Sequence, residues 1–165
     1  MNDYTRYCTA IPMKAKSDTK GALREWIKML ETQCKAKVAY LQADWGGEFR
    51  NTELASWCKK KGIQLKETIL RHNETNAIIE RLNQTFQDMA RTAMIGSRVK
   101  LWGDAIQWAA YTKNRIPHKT LGKSHMEALV GRGDRSNLCP FGQRVMIPTY
   151  KEERNNRMAP IAQEG

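Results

Sequence analysis

Two carboxylates stand out by their surroundings. Residues 41–50 read LQADWGGEFR, so Asp44 closes an apolar run and is followed by Trp45 and two glycines. Residues 75–84 read TNAIIERLNQ, which places Glu80 in a helical pattern, with 35 residues between it and Asp44. In open α/β sheets, ligands gather outside the carboxyl ends of the strands. An aspartate at such an end and a glutamate in the opening turns of a helix can converge there. Mg²⁺ prefers a few carboxylates completed by water and phosphate oxygens. Two such ions about 4 Å apart clamp the attacking and leaving oxygens of a phosphodiester displacement. Asp44 also reads as a turn residue before Gly46, and Glu80 as a solvated helix acid. Spacing alone does not choose between these readings, because 17 of the 165 residues are acidic.

The elements that must position the two acids are legible around them. Residues 6–13, RYCTAIPM, read as a strand, with Pro12 suited to a strand end or edge. Leu23, Trp26, Ile27, Leu30 and Cys34 follow helical spacing and predict a helix over 17–34 capped by Ser17. A mostly buried strand is expected over 37–43, ending just before Asp44. A short helix follows over 52–61, with Asn51 as its cap and three lysines at its negative end. Residues 63–67 alternate as a strand does. The longest helix is expected over 75–96, where Ile78, Ile79, Leu82, Phe86, Met89, Ala90 and Ala93 share one side. Nearly opposite fall Asn76, Glu80, Asn83, Gln84, Gln87 and Arg91. A second amphipathic helix is expected over 99–116 and ends at Pro117. Beyond it the pattern predicts a short helix over 124–130, a polar loop containing an RGD tripeptide of no significance, and a short strand near 141–147. The order of strands and helices describes an α/β domain.

Bulk properties narrow the class. A chain of 165 residues fits one domain, large enough to bury a core without disulfides or metals. The net charge of +11, from 28 Lys+Arg against 17 Asp+Glu, favours a polyanionic partner, since each neutralised phosphate releases counterions. Cys8, Cys34, Cys58 and Cys139 form no C-x-x-C pair, so neither a zinc site nor a disulfide framework is expected. Reduced core cysteines imply an intracellular protein. No apolar stretch approaches the ~20 residues that span a bilayer, so no membrane partner is expected. Residues 1–12 also lack the basic-then-apolar order of a signal peptide.

Several blocks, in order, resemble the integrases of copia-type LTR retrotransposons. DWGGEF at 44–49 is similar to their D-N-G-G-E-F, and N-x-x-x-E-R-x-N at 76–83 to the stretch around their catalytic glutamate. DYTRY at 3–7 resembles the D-Y-S-R-Y before an edge strand, and LWGDAIQWAAYTKNRIP at 101–117 their W-x-x-A-x-x-x-A-x-Y-x-x-N-R-x-P. The interval between Asp44 and Glu80 matches the D,D-35-E enzymes, and FG at 141–142 with the late MAPIAQEG resembles the closing region.

The resemblance implies an RNase H-like integrase core that joins element DNA to target DNA with Mg²⁺ or Mn²⁺. Asp44 would be the second catalytic aspartate and Glu80 the glutamate, both ligating metal. Arg81, Asn83, Gln84, Gln87 and Arg91, on or beside the Glu80 face, would contact nucleic acid. The expected partners are element ends, target DNA and further copies of the chain, and the expected compartment is the nucleus. The family's first catalytic aspartate lies upstream of the D-Y-S-R-Y block. The 165 residues are therefore expected to lack the first two strands, one metal ligand and the upstream zinc module. Residues 1–117 would form the partial core and 118–165 a C-terminal extension. Trp45, Asn73, Ala77 and Gln84 depart from the family's usual Asn, Pro, Gly and basic residue. Two expectations follow: a fragment of a polynucleotidyl transferase, inactive by itself, or a catalytically inactive basic remnant that only binds nucleic acid.

Overall fold

The computed structural model describes residues 1–43, 52–67, 73–96, 101–131, 138–144, 146–148 and 162–164. Helix α1 spans Thr19–Cys34, strand β1 Tyr40–Ala43, helix α2 Thr52–Lys61, strand β2 Gln64–Glu67 and helix α3 Asn73–Ala93. Helices α4 (Trp102–Arg115) and α5 (His125–Val130) follow, then strands β3 (Met146–Pro148) and β4 (Ala162–Glu164).

Strands β1 and β2 pair in parallel, with Tyr40 opposite Gln64 and Ala43 opposite Glu67. Their carboxyl ends therefore coincide. Parallel neighbours require a crossover, and α2 supplies it. Gly62 closes α2 at φ +73°, a left-handed value that an L side chain rarely adopts. Beneath this unit, Ile27, Leu54, Cys58 and Ile63 form a buried cluster, joined by Leu23, Trp26, Val38, Leu41 and Trp57. Lys20 and Arg24 of α1 both donate to Glu53 of α2, at 3.1 and 3.0 Å. These two hydrogen bonds, with the charges behind them, hold the Glu53 carboxyl below the usual carboxylate range.

The second half is built on two helices. Ala90, Ala105 and Ala109 are fully buried, and such small side chains let helix backbones approach closely. A separate cluster joins Cys8, Phe86, Ala109 and Ala110, with Leu82, Met89, Ile106 and Trp108 packed against it. Trp108 also donates to the Cys139 carbonyl at 3.0 Å and stacks at a tilt on Phe141, which ties the later segment to α4. Helix α5 opens with a capping box: Ser124 Oγ accepts from Glu127 N–H at 3.1 Å, and the Glu127 carboxylate accepts from Ser124 N–H at 2.7 Å.

Three details differ from the sequence-based expectations. Residues 6–13 form no regular element and join no sheet among the described residues. Their backbone is satisfied instead by a side chain of α4. Asn114, buried, accepts from Cys8 N–H at 3.1 Å and donates through Nδ2 to the Cys8 carbonyl at 2.6 Å. One amide thus copies the two bonds of a strand neighbour. The α1 cap is Asp18 rather than Ser17, because a 3₁₀ turn over Lys16–Asp18 uses the Asp18 carboxylate to hold Ala15 N–H at 3.2 Å. The late strand, β3, pairs antiparallel with β4, a partner of three residues too short to show a period in sequence. The expected Asn51 cap and the RGD tripeptide lie outside the described residues.

Cys8 is buried, and its thiol donates to Asn114 Oδ1 at 3.3 Å. Burial pushes its pKa up to about 11, against smaller lowering effects of the chain's amino terminus and Lys113. Asn114→Ala leaves the Cys8 N–H and C=O unpaired in the core, at roughly 1–3 kcal/mol for each group. The expected result is a loss of about 2–5 kcal/mol in urea unfolding. Cys8 should also become alkylable at about pH 8, where the intact chain reacts first at exposed Cys139. Unchanged stability would show that the bonds to Asn114 do not hold the segment.

Candidate functional site

The structure places Glu80 in the second turn of α3, with its side chain exposed. It has no hydrogen-bond or ion-pair partner among the described residues. An unpaired, solvated carboxylate is an available oxygen donor for a hard cation. Asp44 follows directly on Ala43, the last residue of β1, but lies outside the described residues. The parallel register puts the ends of β1 and β2 side by side, and only residues 68–72 separate Glu67 from Asn73. Five linking residues span at most roughly 20 Å, so the start of α3 is tethered to the sheet end from which Asp44 departs.

Of the five residues expected to contact nucleic acid, Asn83, Gln84, Gln87 and Arg91 are exposed on the side of α3 that carries Glu80. At 3.6 residues per turn all four lie within about 60° of it. Arg81 does not join them. It stands a quarter-turn away and lines a cleft of about 330 Å³ with Arg6, Lys113, His118 and His125. Arg91 makes a long contact of 3.4 Å to Asp88, with both side chains largely exposed, so its charge is only weakly offset. The Glu80 face is consequently amide-rich and not strongly basic.

The basic side chains around the cleft come from 6, 81, 113, 118 and 125, too far apart for any local spacing to reveal. The one readable signal was the S-x-x-E pattern at 124–127, which fixes the start of α5 and hence the position of His125. Among the described residues, no three His, Cys, Asp or Glu side chains come together to hold a metal ion. No described helix is long and apolar enough to cross a membrane.

Comparisons with known proteins agree with this architecture. The trimeric HTLV-2 integrase catalytic core, solved in complex with magnesium, superposes with a TM-score of 0.54 at 18% identity, covering 70% of this chain and 70% of that one. The fold is that of an integrase catalytic core, RNase H-like in class. In sequence, the chain is 26% identical over 158 residues to the Retrovirus-related Pol polyprotein from transposon TNT 1-94 of Nicotiana tabacum, covering 93% of this chain. It is 31% identical over 138 residues to the Transposon Ty1-LR3 Gag-Pol polyprotein of Saccharomyces cerevisiae, covering 81% of it. No protein-family profile matches. The chain is a relative of retrotransposon Pol polyproteins and corresponds to an integrase-core fragment. It spans 12% of the tobacco relative's length and 8% of the yeast relative's.

Because Glu80 is exposed and has no hydrogen-bond or ion-pair partner among the described residues, Glu80→Gln should leave the fold intact. Thermal melts of the two proteins should agree within roughly 0.5 kcal/mol, the usual range for such surface changes. A larger loss would assign Glu80 a structural role.

Proposed function

We propose that the chain is the core segment of a copia-type integrase, in which Asp44 and Glu80 hold Mg²⁺ or Mn²⁺ against a DNA phosphate. The observation that carries this reading is the unpartnered, exposed Glu80 on a helix tethered to the end of a parallel sheet that leads into Asp44. Two carboxylates are a hard-oxygen donor set, which suits these ions. A divalent ion so held supplies Lewis-acid polarisation of the phosphodiester. The chain's own part is to position DNA. Asn83, Gln84 and Gln87 offer amide hydrogen bonds to phosphate and sugar, and Arg91 adds a charge; contacts of this kind set orientation and not sequence. Element ends and target DNA are the substrates of this reading, homo-oligomers its assembly and the nucleus its compartment. Residues 1–117 make up the core, and 118–165 a C-terminal extension that begins where α4 meets Pro117.

A second reading is a basic nucleic-acid-binding remnant without catalysis. It is favoured by the net charge of +11. Mn²⁺ titration separates the two, since only the first expects binding that Asp44→Asn removes.

Both readings expect weak, sequence-independent DNA binding. With about three phosphates neutralised, affinity should fall roughly 40-fold between about 50 and about 200 mM salt. Arg91→Ala should weaken binding equally for all sequences, and binding indifferent to salt would count against both. The 165-residue polypeptide assayed alone should not join DNA ends. Two carboxylates in place of three hold a metal pair less rigidly, and this chemistry needs positions fixed to about 0.5 Å. The check is a labelled duplex with a recessed 3′ end incubated with Mn²⁺. Joined product that vanishes in Glu80→Gln would overturn that expectation.

A further inference from the structure

A second concentration of basic side chains, away from the Glu80 face, lies in the cleft between the N-terminal segment, α3, α4 and α5. Its walls carry Arg6, Arg81, Lys113, His118 and His125, with Ile78 and Leu82 as the apolar floor and no carboxylate among the lining residues. Neither Arg81 nor Lys113 has an acidic partner among the described residues. Converging like charges are unfavourable unless something offsets them. Three local features add to the case. The imidazoles of His118 and His125 lie 5.1 Å apart, centre to centre. His118 Nδ1 is buried without a hydrogen-bond partner among the described residues. Arg6 sits in the left-handed region at φ +58°, which an L residue adopts at a cost of roughly 1–2 kcal/mol. Unpaired polar groups and backbone strain of this kind collect at ligand sites.

We propose that this cleft is a phosphate site, in which an oxyanion bridges Arg81, Lys113 and the His118–His125 pair. The site lies on the opposite flank of α3 from Glu80 and is independent of the metal-binding reading. Guanidinium and ammonium donors give charge-assisted bonds to phosphate oxygens, and a doubly protonated imidazole donates from both nitrogens. His125 Nδ1 donates to the Thr5 carbonyl at 3.0 Å, so its second proton belongs on Nε2.

The site carries a built-in pH dependence. Burial holds the His125 imidazole below its ordinary range, and Lys113 and His118 lower it further against the opposing Thr5 bond. The remaining groups facing the pair are few. Arg6 is paired with exposed Asp3 at 2.9 Å, the Met1 amino group, which also lines the cleft, is held below its ordinary range by burial, Cys8 is a neutral thiol, and the Glu127 carboxylate is engaged by Ser124 N–H. A bound oxyanion reverses the balance and draws a proton onto the His125 ring. Affinity therefore rises as pH falls through the ordinary histidine range and below it.

The test is NMR of the imidazole resonances in the full 165-residue chain, titrated with inorganic phosphate against chloride at matched ionic strength. Sulfate, which keeps its charge across this pH range, separates protein protonation from that of phosphate. The expected result is saturable shifts of His118 and His125, a raised pKa for His125, and tighter binding at the lower pH. Arg81→Gln and Lys113→Gln should each weaken binding about 10-fold, the loss of one charge-assisted bond. Lys59→Gln, at the far end of α2, should leave it unchanged. A short DNA duplex that competes with phosphate at the same resonances identifies a DNA phosphodiester as the ligand. Saturable phosphate binding that the duplex does not displace identifies a free phosphate. Imidazole signals that move no further with phosphate or duplex than with chloride would overturn the proposal, and this result needs no variant to fold. Loss of Mn²⁺ binding at Asp44 and Glu80 would leave the outcome untouched.

Discussion

The paired hydrogen bonds between Asn114 and the backbone of Cys8 tie the N-terminal segment to α4. A segment without a strand neighbour must satisfy its N–H and C=O groups elsewhere or pay for burying them. A single amide from α4 does this at Cys8. With Cys8 fixed, its side chain packs on Phe86, Ala109 and Ala110. That places Thr5 where His125 can reach its carbonyl, and Thr9 where Trp26 donates to it at 2.9 Å. The N-terminal segment thereby touches α1, α4 and α5 through separate polar contacts. The basic cleft exists because of this arrangement, since Arg6 leaves the chain only two residues before Cys8.

Helix α3 divides the chemistry. One flank presents Glu80 and a row of amides to solvent. The other turns Arg81 toward Lys113 and the two histidines. The apolar stripe between them, which includes Phe86 and Ala90, packs toward α4 and fixes both flanks at once. A rotation of the helix by one residue, 100°, would bury Glu80 or expose Phe86. Either change is costly, so core packing alone sets the direction in which Glu80 points. The same packing keeps a negative site and a positive site apart on one element.

The chain's positive charge is therefore not spread evenly. Lys59, Lys60 and Lys61 stand at the negative end of α2, where they complement the helix dipole. Lys20 and Arg24 are engaged by Glu53. Arg81 and Lys113 remain without acidic partners among the described residues and face one another across the cleft. Net charge forecasts a polyanionic partner but not the surface that meets it. The amide-rich Glu80 face and the basic cleft are different surfaces, suited to different contacts with phosphate.

The sequence by itself determined the helices and the order of elements. Period and capping are local, so α1, α2, α3, α4 and α5 lie within a few residues of where the pattern put them. It also determined the kinship with retrotransposon Pol polyproteins, because the ordered blocks around Asp44, Glu80 and Asn114 survive as contiguous text. Tertiary structure decided what depends on distant partners. Residues 6–13 have the composition of a strand, yet whether they pair depends on a neighbour, and here the neighbour is Asn114, 106 positions away. β4 became a strand only through pairing with β3. Arg81 looked like part of the Glu80 face because both are polar and adjacent in sequence. Its environment was set by Arg6, Lys113, His118 and His125, which only the packing of four separate segments brings within reach of one cleft.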